Sequence, residues 1–195
     1  MAKLERGFYL HHDVVHLSRR LLGKVLHTRI GGTHTAGVIT ETEAYAGVKD
    51  RASHAYGGRR TPRNEPMYGP GGYTYVYLCY GIHHLFNVVT NVPGIPQAVL
   101  VRAVHPYIGV EMMAERRSPA PPTTTGPGTL TQALGIRTQH TNLDLLDKTI
   151  WIEDHGIEVP EEAVVTGPRI GVGYAQEDAL LPYRFHVQPS RLIMP

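Results

Sequence analysis

Residues 38–45 read Val-Ile-Thr-Glu-Thr-Glu-Ala-Tyr, with two carboxylates two positions apart beside a tyrosine. As a regular strand this stretch turns Ile39, Glu41, Glu43 and Tyr45 to one face, because successive side chains alternate. Acids are depleted from strands, so the pair needs a reason. One reason is an exposed polar face, or an acid paired with an arginine. A second is a carboxylate held in a cleft to activate water. A third uses both acids: two residues of strand rise set Glu41 and Glu43 about 6.6 Å apart, near the low end of the spacing in inverting O-glycosidases.

A second cluster is aromatic. Residues 73–81 read Tyr-Thr-Tyr-Val-Tyr-Leu-Cys-Tyr-Gly, so Tyr73, Tyr75 and Tyr77 share one strand face. Tyr80, Gly81 and Ile82 fall at the tip of a hairpin. An aromatic strand is ordinary. A tyrosine at a glycine-containing tip is badly placed for burial and well placed for insertion into a base step of a duplex. Tyr45 and Tyr77 offer ring faces on which a planar group can stack. Between these segments lies a loop with Lys49, Arg51, Arg59, Arg60 and Arg63 against one acid, Asp50. Its local charge exceeds the +2 of the whole chain. It is either a solvated loop or a face that meets phosphates, with Arg59, Thr61, Arg63 and Asn64 as contacts.

Other chemistries find little support. His12 and His16 have the i, i+4 spacing of a helical zinc pair, but His12 precedes the expected helix cap and Asp13 is shorter than the glutamate such sites use. No metal site is expected. Cys79 is the single cysteine, which excludes an internal disulfide and a cysteine cage. The four serines lie in no nucleophile-elbow pattern, and the glycine-rich pieces complete no phosphate-loop or dinucleotide fingerprint.

The elements that must hold these groups are short. Asp13 caps a helix through Leu22, with Gly23 as its stop. Residues 24–30 and 36–45 read as a hairpin around Gly31-Gly32. Residues 48–72 form a long polar loop, the kind that is functional or disordered. Residues 73–79 and 83–90 are strands, and 97–104 is a strand closed by Pro106. A helix over 110–117, a Pro/Thr connector over 118–125 and a short helix over 130–134 follow. Late strands are expected at 150–153, 169–172 and 184–187. Early strands without regular strand–helix alternation predict an α+β domain, mainly antiparallel.

With 195 residues the chain is long enough for one core and is read as one domain, 1–195. Glycine (21) and proline (15) are abundant, which disfavours a bundle of long helices. No apolar run approaches the length needed to cross a bilayer, and the first residues lack the apolar stretch of a secretory signal. A cytoplasmic protein with no membrane partner is expected.

Taken together, these strings resemble the 3-methyladenine (alkylpurine) DNA glycosylase family typified by the mammalian enzyme. The resemblance spans about Phe8 to Val187. It is carried by Glu41-Thr42-Glu43-Ala44-Tyr45, Ser53-His54, Gly58 through Asn64, Tyr75-Val76-Tyr77 with Tyr80-Gly81, Asn87-Val88, Val101-Arg102-Ala103, Gly126-Pro127-Gly128, Gln132-Ala133-Leu134 and Pro168 through Gly173. It implies a curved antiparallel sheet with surrounding short helices and a protruding hairpin that enters the minor groove of double-stranded DNA containing damaged purines. It implies Glu43 as general base and Arg102 as a residue that helps place the water. Tyr45, His54 and Tyr77 then wall the pocket for an extruded base, and Asn87 crowds out the amine of normal guanine. Tyr80 becomes the wedge, with Ile82 beside it. Arg59, Thr61, Asn64 and Met67 fall where the family meets DNA backbone or groove, and Arg63 joins them as a backbone contact. The implied enzyme is a monomer with no cofactor, associated with the nucleoid if prokaryotic. No lysine stands beside these residues, so no Schiff base is expected. Thr129 stands where many relatives carry lysine, which removes one phosphate contact. From the residues alone, three alternatives remain beside this reading: a non-catalytic minor-groove binding module, an O-glycosidase using Glu41 and Glu43, and a stable mixed-class domain with no nucleic-acid role.

Overall fold

In the computed structural model, which describes residues 1–118 and 123–195, one antiparallel sheet organises the chain. β1 (Ala2–Lys3), α1 (Arg6–Tyr9) and α2 (Val14–Arg20) lead into β2 (Val25–Ile30) and the long β3 (Thr33–Tyr45). After the basic loop come β4 (Thr74–Cys79), β5 (His83–Thr90) and β6 (Gln97–Ile108), then α3 (Val110–Arg117) and α4 (Pro127–Leu134). β7 (Ile150–Asp154), β8 (Val165–Gly167) and β9 (Arg184–His186) complete the nine-stranded sheet. The strand order is β1-β7-β2-β3-β6-β5-β4, with β9 joining β3 to β8. The α+β class expected from the sequence is the one observed.

Local chemistry sets the first elements. The Asp13 carboxylate accepts hydrogen bonds from the Val15 and His16 amides at 2.9 and 3.1 Å, capping α2. Gly23, with φ +77°, ends the turn, and a Cβ there would meet Val159 at 2.7 Å. Leu17, Leu21 and Leu22 share a core with Ile39, Ala44, Val101, Met113, Leu130 and Leu134. Burying each such leucine contributes about 1.5–3 kcal/mol. Among the described residues no helix is long and apolar enough to cross a membrane.

Two expectations need correction and a third lies partly outside the described residues. β6 does not stop at Pro106: it runs to Ile108, and Pro106 pairs with Gly37 next to a register shift, where a missing N–H is tolerated. Residues 169–172 are not a strand; Gly171 adopts φ +76° and the chain there is irregular. The late strand is β8 instead. The connector expected over 118–125 falls partly on residues 119–122, outside the described residues. The long loop is built of short 3-10 turns at Gly47–Lys49, Tyr56–Gly58 and Glu65–Tyr68.

Candidate active site

Regular alternation fails in the middle of β3, and the site depends on that failure. Against β6, Thr40 is one residue too many on β3, and Arg102 is one too many on β6. Such bulges re-aim side chains. Ile39 therefore packs in the main core, where Ala44 also lies and where Thr42 bonds to Ser18 of α2. The expectation that Ile39 shares the face of Glu41, Glu43 and Tyr45 is corrected by this shift. The same shift leaves Arg102 free to reach both acids.

Glu43 is fully buried. One carboxylate oxygen, Oε1, accepts from the Ile170 amide at 2.7 Å and lies 3.4 Å from Arg102 Nη1. The other, Oε2, accepts from the Tyr45 hydroxyl at 2.9 Å. Burial pushes the Glu43 carboxyl above its ordinary pKa, while Arg102, the Ile170 N–H and the Tyr45 hydroxyl pull it down. Burial, then the Glu43 charge, raise the Tyr45 hydroxyl well above its ordinary range, so it stays a donor. Glu41 is used differently. Its Oε1 accepts from Arg102 Nε and Arg184 Nη1, each at 3.1 Å. Two acids and two arginines thus balance around these two bulges.

Tyr45, Arg102 and Ile170, the three residues that hold Glu43, also line a cleft of about 570 Å³. Glu43 itself sits one layer behind that lining. His54, Tyr77 and Tyr174 supply aromatic walls. The His54 and Tyr77 rings meet edge to face at 4.7 Å, and His54 Nδ1 contacts the Tyr75 hydroxyl at 2.8 Å. Burial and the nearby Arg63 and Arg59 lower the His54 pKa, so its ring is neutral at pH 7. Asn87 does not line the cleft. It borders an adjoining recess of about 40 Å³ that Tyr45, His54, Tyr77 and Tyr174 also line, so the four expected pocket residues, Asn87 among them, meet there, and its amide donates to the Tyr75 and Leu85 carbonyls.

The hairpin tip is strained and exposed. Tyr80 adopts φ +52° and Gly81 φ +75°, closing a turn from Cys79 to Ile82. Tyr80 is 89% exposed and Ile82 71%. A tyrosine in the left-handed region is uncommon, and such strain clusters at functional sites. Arg59 and Arg63 are exposed beside the cleft, and Arg63 lies over the Tyr77 ring. Arg60 and Arg51 are instead paired with Glu65 and Glu177, which lowers the effective charge of the loop. Thr61 is half-buried, and its amide and hydroxyl both donate to Asn64. Asn64 and Met67 depart from the expectation of DNA contact. The Asn64 side chain is spent on Thr61, His54 and Arg59. Met67 is 2% exposed and packs against Ala55, Tyr75, Val89 and Ala98. Both shape the loop from inside.

Sequence reasoning missed the support behind Tyr45. Arg169 makes a buried bidentate pair with Asp50, at 2.5 and 2.8 Å, and also donates to the Ala44 carbonyl. Its guanidinium lies over the Tyr45 ring at 4.9 Å. The signals available were a lone acid in a basic loop and an arginine inside the 168–173 string. The first turn of α4 lines the opposite rim, where a Cβ on Gly128 would strike the His83 ring at 2.7 Å. Thr129 bonds back to the Thr125 and Gly126 carbonyls instead of reaching outward.

Comparison with known proteins adds an independent observation. The family model described as methylpurine-DNA glycosylase (MPG) matches residues 8–191. A relative from Chlamydia felis is 45% identical over 186 residues, covering 93% of this chain and 94% of the relative. One from Desulfitobacterium hafniense is 41% identical, covering 99% and 98%. One from Anaeromyxobacter dehalogenans is 48% identical, covering 96% and 84%. All three bear the name "Putative 3-methyladenine DNA glycosylase".

Proposed function

The chain belongs to the methylpurine-DNA glycosylase family, and on that premise we propose that it excises damaged purines from duplex DNA with a water activated by Glu43. As a DNA glycosylase it acts on DNA and hydrolyses an N-glycosidic bond. Family membership sets aside the non-catalytic module, the O-glycosidase and the domain with no nucleic-acid role. Glu41, spent on Arg102 and Arg184, also gives the O-glycosidase no second free acid.

The carrying observation is the position of Glu43: a buried carboxylate whose every named partner lines the aromatic cleft. A carboxylate offers about four lone-pair sites. Ile170, Arg102 and Tyr45 engage three, and the fourth accepts the proton of the attacking water.

A purine inside a duplex is out of reach until it is everted, at a cost of a few kcal/mol. Tyr80, inserted from the minor groove, fills the space left behind and offsets part of that cost. The everted base lies in the cleft among Tyr77, Tyr45 and His54, where stacking contributes about 1–3 kcal/mol. A neutral His54 does not repel a cationic alkylated purine, and the tyrosine faces attract it. Water oxygen bonds to the anomeric carbon as the bond to the purine nitrogen breaks, and the bonding pair leaves with the base. An alkylated cationic purine departs neutral and needs no acid. Glu43 takes the water proton and its charge steadies the oxocarbenium-like transition state. Arg102 keeps the carboxylate ionised against burial. The products are a free base and an abasic site. The protein works as a monomer without cofactor.

The test is incubation with methylated and with hypoxanthine-containing duplex, followed by chromatography of released bases and alkaline cleavage at abasic sites. Released base with an equal yield of abasic sites supports the reading. Strand cleavage without alkali, or no release from either duplex, overturns it.

A further inference from the structure

A cluster of donors lies at the far side of the sheet, on β2 and β7 and away from β4. His27 faces Trp151 across the β2–β7 ladder, Glu153 is two residues along β7, and His155 follows the strand. One ligand atom from each of His27, Glu153 and His155 lies within 4.8 Å of the other two. Both histidine side chains are almost wholly buried, and Glu153 is largely so. Glu153 Oε2 is 2.8 Å from His155 Nε2 and 3.4 Å from His27 Nε2.

We propose that His27, Glu153 and His155 bind one divalent transition-metal cation of the zinc class, with water in the fourth position. Two nitrogens and a carboxylate oxygen are a zinc donor set, with bonds of about 2.0–2.1 Å. Tetrahedral bonds of that length put neighbouring donors roughly 3.3 Å apart, close to the His27–Glu153 separation. The His155–Glu153 contact is a hydrogen-bond distance, and a cation replacing the shared proton widens it by roughly half an ångström.

Two further features point to a ligand. His27 Nε2, the nitrogen that faces Glu153, is buried with no hydrogen-bond partner. Buried ring nitrogens are ordinarily satisfied, and this one needs an explanation. The surroundings of His27 and Glu153 also match what orients metal ligands, while His155 Nδ1 has no such partner. His27 Nδ1 contacts His34 Nε2 at 3.1 Å, which leaves Nε2 as the bare, inward nitrogen. The Trp151 indole donates to the other Glu153 oxygen at 2.6 Å and stacks on the His27 ring at 4.9 Å and 9°. Ring plane and carboxylate orientation are both fixed without the ion. The site staples β7 and its following turn to β2, away from the cleft.

The test uses the full chain, stripped with chelator and titrated with cobalt(II), then zinc(II). Expected are intense tetrahedral cobalt absorption, its loss on adding one equivalent of zinc, and one zinc per chain by elemental analysis. Glu153→Gln, His27→Gln and His155→Gln each weaken zinc at least about tenfold. Should either histidine variant fail to fold, Glu153→Gln, at the partly exposed position, carries the comparison. The surface cluster of His11, His12 and His16, whose rings stack at 4.7–4.8 Å, is the control: a His11→Ala/His16→Ala double variant retains the zinc. Absence of tetrahedral cobalt absorption overturns the proposal. So does zinc that persists through Glu153→Gln, or that disappears with the surface pair.

Discussion

Replacing Glu43 with glutamine removes the base and keeps the shape. The new side-chain oxygen can still accept from the Ile170 amide at the position where Oε1 now lies, 2.7 Å away. The new NH2 then faces Tyr45, whose hydroxyl turns from donor to acceptor. Loss of a general base lowers the rate by about 10²–10⁴, or roughly 2.7–5.4 kcal/mol of barrier. Affinity for lesion-containing duplex stays near that of the unsubstituted protein, because the carboxylate lies behind the cleft lining. Acidity supplies a second, independent readout. Burial raises the Glu43 pKa, so the active ionised form is gained at higher pH than for an ordinary glutamate. The acid limb of the kcat/KM profile therefore sits above the usual carboxylate range in the native protein and vanishes in Glu43→Gln. Stability follows the opposite sign. A carboxyl with a raised folded pKa costs stability as pH climbs from its unfolded value through its folded one. Glu43→Gln is consequently at its most favourable for stability near neutrality, and the advantage fades toward pH 4. Single-turnover base release and thermal melts at several pH values measure all three. Near-normal excision by Glu43→Gln refutes the assignment, whatever the melts show.

The remaining expectations concern the tip, the buried pair and the loop. Tyr80→Ala weakens binding to lesion-containing duplex far more than to undamaged duplex in fluorescence titrations; equal loss argues against a wedge. Tyr80→Gly leaves the melting temperature unchanged or higher, since relief of the left-handed tyrosine, about 1–2 kcal/mol, outweighs the chain entropy of glycine, about 0.5–1 kcal/mol. A clear drop in that temperature shows the tip is held by contacts instead. Asp50→Asn strands Arg169 in the core and costs about 3–5 kcal/mol in denaturant unfolding; a loss under 1 kcal/mol removes the pair from the scaffold of Tyr45. Arg59→Ala or Arg63→Ala reduces the slope of log affinity against log salt by about one per phosphate contact, while Arg60→Ala, already paired with Glu65, changes it less. A uniform change across the three contradicts the distinction.

What could be read from residues alone was local. The Asp13 cap, the glycine stop and the β4–β5 hairpin with Tyr80 at its end each depend on neighbours within a few positions, and each is found in place. The grouping of Glu43 with Tyr45 also survived, because they are only two positions apart. The bulges at Thr40 and Arg102 could not be anticipated, since they exist only once β6 lies beside β3. Regular alternation wrongly put Ile39 with the acids for that reason. Asp50 and Arg169 are 119 positions apart, and nothing local announces their bond. Asn64 and Met67 sat in a polar, basic stretch that looked wholly solvent-facing. Their burial reflects hydrogen bonds and packing internal to the loop. The alternating apolar pattern of 169–172 suggested a strand that Gly171 breaks.

Tyr77 lies on β4 and Tyr80 in the tight turn that follows it, only three positions on. Hydrogen bonds to β5 run as far as the Cys79–His83 pair, so the strand that carries Tyr77 and the turn that carries Tyr80 form one stiff piece. Probing the helix and gripping what comes out of it are therefore not separate motions that must be synchronised. Whatever pushes the tip forward advances the gripping wall by the same distance, like the jaw and handle of a single-piece tool. Lengthening the ladder by one residue pair would spoil that gauge, even with every side chain retained.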